Sequence, residues 1–438
     1  MNFTISRNDF YRVLQKVINV IPNKSTVDIL YSVLLIAEED HLKIIATDLE
    51  ITQIAWASCN VTEQGSIAVP GKLLLDIIRE MPENDLTFKI DSNLKIYIES
   101  TFGKYKLSGQ NKNEFPSVPL VETEHKIELK NTVLKHMIEK TIFACSTDNL
   151  RPALTGVFCQ IMENEYRMVA TDGHRLVKII TRDFENKDYT ENIIVPTKAL
   201  NFVARNLPAE GSQQILISES HILFELPNTK IYSRLIKDPY PDYERVIPAQ
   251  NSKQMEINKE QFVSSVKRVS LFSNPMTYQV KLSLNPKEIN IYAQDIDFGG
   301  EANETISCKF DSDPLEIAYN ANYLLDILRH LDSEEIKFLV EDEDGPGIIV
   351  PFEQEEKDNR KNIYKHFLLG ILHSHFLLQK HCAGHNNRQN HGRIRLRKIG
   401  QPEYKFRSAQ KNRVAKNSKQ GKEYRHLPFR FRLILSVC

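Results

Sequence analysis

The 438-residue chain predicts an α+β fold made of three tandem, like domains, each with helices packed on antiparallel sheets. Two observations carry this prediction. First, short motifs return in the same order at an interval of one small domain. ATDLE at 46–50 returns as ATDGH at 170–174, VPGKLLLDIIREMP at 69–82 as VPTKALNFVARNLP at 195–208, and FPSVP at 115–119 as YPDYERVIP at 240–248. Asp48 to Asp172 is 124 positions, Pro70 to Pro196 is 126 and Pro116 to Pro241 is 125. A fainter third copy follows, with IYAQD at 291–295 and AYNANYLLDILRHLD at 318–332, where Asn320 stands 124 positions beyond Pro196. Second, within each copy the hydrophobic period alternates between helical and strand spacing.

Taken in order, NDFYRVLQKVINVI at 8–21 places apolar residues at helical spacing behind an Asn that can cap. The β-rich runs at 33–57 and 156–180 each read as two or three strands joined by polar turns such as EED and MENE. The Val-Pro segments open amphipathic helices, and hairpin-like pairs follow at 86–100, turning at DSN, and at 214–227, turning at SES. The third copy keeps this order, with a first helix at 259–272, strands from YQVKLSLNPKEINIYAQD, a second helix from NANYLLDILRHL and closing strands from EEIKFLVEDEDGPGIIVPFE. The predicted units are 1–121, 122–248 and 249–358, with 359–438 as a tail.

A hydrophobic content of 41% with 26% charge places the chain among globular proteins, and its length accommodates three domains of ordinary size. The zero net charge hides a division. Residues 360–438 carry 19 Lys+Arg against two acids, whereas residues 1–359 carry 38 against 55. Six scattered cysteines point to a reducing compartment, and the N-terminus lacks the pattern of a secretory signal, so a cytoplasmic location is expected. The apolar run FLLGILHSHFLL at 367–378 is too short and too polar to span a bilayer, and no membrane partner is expected.

Jointly, RPALTGV at 151–157, MVATDGHRLV at 168–177, IIVPTKAL at 193–200, DPYPDYERVIP at 238–248, FTISRNDF, ILYSVLLIA and ATDLE resemble the bacterial β sliding clamp, the processivity subunit of the replicative DNA polymerase. The resemblance spans roughly residues 1–358. It implies three DNA-clamp domains per chain, closed head to tail with a second copy into a ring around duplex DNA, helices lining the hole and sheets outside. The implied partners are duplex DNA, a second copy, and the polymerase, clamp loader and repair proteins through short peptides. No catalytic residue, metal or other cofactor is implied. A non-encircling nucleic-acid-binding scaffold with a basic tail is the alternative.

The resemblance also assigns residues. Lys24, Arg79, Lys135, Arg151, Lys198, Arg205, Lys267, Arg268 and Arg329 are the cations expected to meet DNA phosphates without reading bases. Leu154, Thr171, Gly173, His174, Arg175, Leu176, Pro241, Arg245 and Val246 are the expected groove for partner peptides with aliphatic and aromatic anchors. Tyr105, Leu271 and Phe272 are the expected dimer contacts. Asp172 and His174 could be drawn as the base and orienter of a hydrolase, but no nucleophile recurs in a motif beside them. The first copy, with ATDLE in place of ATDGH, lacks the Gly-His-Arg and is expected to keep the fold but lack the groove.

The chain departs from the family at its end. After PGIIVPFEQEEKDN at 346–359 no final strand is recognisable, and the charge balance reverses. A shift of reading frame near 358–362 is the expectation this motivates, giving a disordered tail and a third unit lacking an edge strand. A functional basic extension is the competing reading.

Overall fold

The computed structural model describes residues 1–122, 125–182, 184, 189–249, 251–352 and the backbone of 363–367. These belong to one compact body, Met1–Ile371. The remainder of the tail lies outside the described residues, as do His381, Cys382, His385 and His391, the residues that a zinc site in the tail would need.

Each copy consists of a strand, a helix, a meander, a second helix and a second meander. In the first copy these are β1 (Asn2–Ser6), α1 (Arg7–Ile18), β2 (Ser32–Glu38), β3 (His41–Thr47), β4 (Ile51–Ser58), β5 (Asn60–Glu63), β6 (Gly65–Pro70), α2 (Gly71–Glu80), β7 (Asp85–Ile90), β8 (Lys95–Ser100) and β9 (Gly103–Ser108). The second has β10 (Lys126–Lys130), α3 (Asn131–Glu139), β11 (Gly156–Ile161), β12 (Tyr166–Thr171), β13 (Leu176–Thr181), β14 (Glu191–Pro196), α4 (Thr197–Asn206), β15 (Ser212–Ile217), β16 (His221–Leu226) and β17 (Thr229–Arg234). The third has β18 (Lys253–Asn258), α5 (Lys259–Val269), β19 (Gln279–Asn285), β20 (Glu288–Asp295), β21 (Gly300–Ser307), β22 (Lys309–Phe310), β23 (Leu315–Asn320), α6 (Ala321–Arg329), β24 (Glu335–Val340) and β25 (Ile348–Pro351), and β26 (Ile363–Phe367) follows.

The helices form because apolar residues recur at i, i+3, i+4 and i+7. In α1 these are Phe10, Val13, Leu14, Val17 and Ile18, all buried. Helices pack in pairs, α1 on α2, α3 on α4 and α5 on α6. Phe88 of β7 stacks on Phe3 at 4.7 Å and meets the edge of Phe10 at 5.1 Å, tying α1 to its sheet. The cap expected from Asn8 is not used: Ser6 is the N-cap residue, and Asn8 lies in the first turn, accepting a hydrogen bond from Arg7.

The Val-Pro motif is the point where a strand ends and a helix begins. Pro70 and Pro196 hold φ near −52° and −55° at the N-caps of α2 and α4, ending the strand without needing an N–H. The third copy solves the same problem with a side chain: Asn320 Oδ1 accepts from the backbone N–H groups of Asn322 and Tyr323. The motif is therefore faint there while the geometry persists.

Sheets run through the boundaries between copies. β4 of the first pairs antiparallel with β17 of the second, Gln53 opposite Ile231, giving the eight-stranded sheet β10-β15-β16-β17-β4-β3-β2-β6. β13 of the second pairs with β26, Val177 opposite His366, giving β14-β11-β12-β13-β26. This corrects one expectation: a strand does form beyond residue 358, within sequence whose composition does not announce it. Among the described residues β9 pairs only with β8, and β21 only with β20.

Candidate functional site

The repeated ATD motif is a turn closed by its own side chains. In the first copy Asp48 Oδ1 accepts from the N–H groups of Glu50 (3.1 Å) and Ile51 (2.7 Å), while Thr47 Oγ1 donates to Ile51 O and accepts from Leu49 N–H. In the second, Asp172 Oδ1 accepts from His174 (2.9 Å) and Arg175 (3.0 Å), and Thr171 Oγ1 donates to Arg175 O and accepts from Gly173 N–H. These Asx turns explain why both residues return together. In the third, Asp295 Oδ1 accepts from Asp297 and Phe298, and the turn from Asp295 to Gly300 is two residues longer than Asp172 to Arg175.

The second-copy turn stands beside an apolar cluster formed by Val169, Leu176 and Tyr243 together with Ile348 and Val350 of β25. Leu176 is fully buried and forms floor rather than accessible wall. Gly173 and His174 are exposed at the tip, Thr171 and Leu154 are buried, and the Arg151 guanidinium lies 3.1 Å from where a Cβ on Gly173 would stand. Pro241, Arg245 and Val246 are exposed around buried Tyr243, and Arg245 pairs with Asp242 at 2.7 Å. Ile348, Val350 and Tyr243 were not among the expected groove residues. Residues 348–350 are all apolar, so no alternation in the sequence marks which of them face the groove.

Arg175 is turned inward. Its guanidinium donates to Asp172 Oδ2 (3.2 Å), to Asp326 Oδ2 of α6 (2.6 Å) and to Phe143 O (2.7 Å), and lies over the rings of Phe143 and Tyr323. The groove is fixed from the other side by Glu244, which accepts from Lys178 (2.6 Å) and Arg167 (3.3 Å). Partial burial opposes ionisation of Glu244, but hydrogen bonds from Lys178 and Tyr243 outweigh it and hold the carboxyl below its ordinary range. Burial pushes the Tyr243 phenol up to about 12. A separate cavity of about 690 Å³ lies between β14 and the segment Leu235–Tyr240, with the stacked rings of Phe158 and Tyr240, 4.6 Å apart, between it and the groove cluster.

The nine expected DNA-facing cations divide into two groups. Lys24, Lys135, Arg205 and Lys267 are exposed without an acidic partner among the described residues. Arg79 pairs with Asp76 and Glu80, Arg151 with Asp148, Lys198 with Asp48, Arg268 with Glu304 and Arg329 with Asp326. Tyr105 is exposed on β9, and Leu271 and Phe272 are exposed after α5. Near Phe272 lie Ile296 and Phe298 at the tip of the β20–β21 turn, both largely exposed and absent from the sequence-based expectation.

Asp172 and His174 do not form a catalytic pair. The Asp172 carboxylate is engaged by two backbone N–H groups and Arg175, and the His174 ring stacks on Tyr323 at 5.6 Å. Among the described residues no cluster of metal-ligating side chains occurs, and no helix is long and apolar enough to cross a membrane.

Three copies of a two-helix unit, joined by sheets that continue across their boundaries, define the DNA-clamp class of fold. The N-terminal, central and C-terminal domains of the DNA polymerase III beta subunit match residues 1–119, 128–242 and 244–360. The beta sliding clamp of Chlamydia muridarum is 31% identical over 349 residues, covering 80% of this chain and 95% of the relative. The DnaN sliding clamp structure from Bartonella birtlesii is 31% identical with a TM-score of 0.78, covering 84% of this chain and 99% of that one. The Bacillus subtilis clamp structure is 26% identical with a TM-score of 0.79, covering 84% of this chain and 98% of that one. The chain belongs to the bacterial beta sliding clamp family, the beta subunits of DNA polymerase III, and is a non-catalytic processivity factor.

Proposed function

We propose that two copies of this chain close head to tail around duplex DNA in the cytoplasm, and that polymerase, clamp loader and repair proteins dock through short peptides in the groove beside Thr171–Leu176. The observation that carries closure is the pair of unpaired edges, β9 and β21, at the positions that pair within the chain elsewhere. Gln53 of β4 and Ala302 of β21 occupy equivalent places, opposite Ala46 and Ala293. Ile231 of β17 and Tyr105 of β9 are equivalent too, opposite Phe224 and Ile98.

Transferring the Gln53–Ile231 register to the open edges sets Ala302 against Tyr105 of the partner subunit. Glu301 then falls opposite Lys106, and Asn303 opposite Lys104. Opposite charges across the strands favour this pairing, and a closed heterologous interface leaves no free edge to extend into a filament. The turn carrying Ile296 and Phe298 would rest on α2, where Leu73 is half exposed, as the other two turns rest on α4 and α6.

Sedimentation of the full chain tests closure. A dimer is expected, dissociated by Lys106→Glu or by Glu301→Lys and restored in the double variant. A monomeric parent chain, or a double variant no better than either single one, would overturn the register. Retention on circular duplex with loss on linearisation tests encirclement.

A further inference from the structure

The cavity beside β14 in the second copy has a closed counterpart in the first. The two places correspond bond for bond. Ile90 N–H donates to Met1 O as Ile217 N–H does to His125 O, and Gly109 N–H donates to Leu94 O as Leu235 N–H does to Ser220 O. The bridge between Ala68 and Gln110 likewise returns between Ile194 and Ile236. In the first copy, glycines let the chain close on itself. A Cβ on Gly65 would stand 2.6 Å from Met1 Cβ, and one on Gly109 would stand 2.5 Å from Ile67 Cδ1, so larger residues would force these contacts apart. The same positions in the second copy carry Glu191 and Leu235. His125, in the place of buried Met1, is exposed and stacks on Tyr189 at 4.4 Å. The cavity of about 690 Å³ lies where the first copy is shut.

We propose that this cleft is a docking site for an extended, basic segment of a partner protein, which adds as a strand to the open edge of β14. It stands apart from the groove beside Thr171–Leu176 and does not depend on that reading. Three features support it. Among the described residues β14 pairs with β11 and, on its other side, meets only the single bridge at Ile236, so the edge toward Glu191 offers main-chain groups to an incoming strand. Ile193, Ile217 and Leu235 line the cavity with the rings of Phe158 and Tyr240, giving it an apolar floor. The rim is acidic. Glu122, Glu191, Glu219 and Asp238 are all exposed there, and Lys237, the one Lys or Arg among the described lining residues, is already paired with Glu219 at 3.2 Å.

Side chains alternate along a strand, so a segment that alternates aliphatic residues with Lys or Arg turns the first set to the floor and leaves the second for the rim. Opposite charge steers such a segment into the cleft, and main-chain bonds with buried aliphatic groups hold it. The volume is within the range of about 300–1,000 Å³ typical of ligand sites.

The test uses the full chain and two fluorescein-labelled pentapeptides, Lys-Leu-Lys-Leu-Lys and Lys-Ser-Lys-Ser-Lys, read by anisotropy, with amide exchange followed in parallel. The leucine peptide should bind about tenfold more tightly than the serine one and slow exchange within 191–194 and 235–239. Glu191→Lys with Asp238→Lys should weaken its binding about tenfold. Glu83→Lys with Glu114→Lys, an equal change of charge at exposed sites of the first copy, should leave it unchanged. A leucine peptide that does not bind, equal affinity for the two peptides, equal losses in the two double variants, or protection at 171–176 in place of 191–194 would each overturn the proposal. If the Glu191→Lys, Asp238→Lys chain has a lowered melting midpoint, the comparison of peptides and the exchange map on the parent chain decide.

Discussion

Lys198 on α4 of the second copy holds Asp48 in the β3–β4 turn of the first, so a helix expected to face DNA gives one of its cations to a junction between domains. Asp48 is mostly buried and also caps two backbone N–H groups, whereas Lys198 is about half exposed.

The two partners should therefore differ in cost. Lys198→Ala removes a half-exposed ion pair, worth up to about 1 kcal/mol. Asp48→Ala also orphans the N–H groups of Glu50 and Ile51, and about 2 kcal/mol is expected. Urea unfolding of both variants checks the order, and a larger loss in Lys198→Ala would contradict it.

Gly173 and Leu49 sit at the same place in equivalent turns, with φ of +93° and +77°. Gly173→Ala should destabilise by about 1–2 kcal/mol, because an L residue is strained there and its Cβ would crowd the Arg151 guanidinium. Leu49 is exposed, so Leu49→Gly relieves strain of about 1 kcal/mol and loses about as much to unfolded-state entropy. Thermal midpoints should fall for the first variant and stay nearly level for the second.

Stability should decline on acidification in two windows. Burial lowers the imidazole pKa of His136 and His221 below the ordinary 6.5, so the folded state binds fewer protons than the unfolded one. That contribution is complete above 6.5 and is lost as pH falls toward the folded values. Hydrogen bonds from Arg268 to Glu304 and from Lys281 to Glu316 hold those carboxyls below 4.5, so their contribution is complete above 4.5 and is lost below it. Urea midpoints between pH 7 and 3.5 should show both declines. Replacing His136 and His221 with Gln should flatten only the upper one.

The four exposed, unpaired cations should carry more of any DNA affinity than the paired ones. Alanine at Lys24, Lys135, Arg205 or Lys267 should reduce the salt dependence of duplex binding by up to about 1 each. Arg268→Ala should do less, since Glu304 already neutralises it with two hydrogen bonds. Equal slopes for Lys267→Ala and Arg268→Ala would argue against the distinction.

Much of the fold was legible because its repeated devices are local. An Asx turn needs its Thr and Asp within a few residues of the N–H groups they bind, so ATD survives as a motif. The third copy was faint because Asn320 replaces Pro at the helix start and its turn is longer. The roles of single residues were less legible. Arg175 reads as a groove residue by position, and partners distant in the sequence, Phe143 O and Asp326, show that it faces inward. β1 escaped notice as a short N-terminal segment, and β26 because its five residues lie in basic, histidine-rich sequence.

The two turn-to-helix junctions are wired with opposite polarity. At the first the acid is on the turn and the base on the helix, Asp48 with Lys198; at the second the base is on the turn and the acid on the helix, Arg175 with Asp326. Were the first copy's turn to dock on α6, the equivalent positions would set Asp48 against Asn322 and Asp326 against Ile51, leaving Asp48 without a cation and Asp326 with Arg329 alone. Such mismatches penalise the wrong neighbour more than they reward the right one. Divergence among the copies thus gives each domain an address, and a threefold-repeated chain folds in one order.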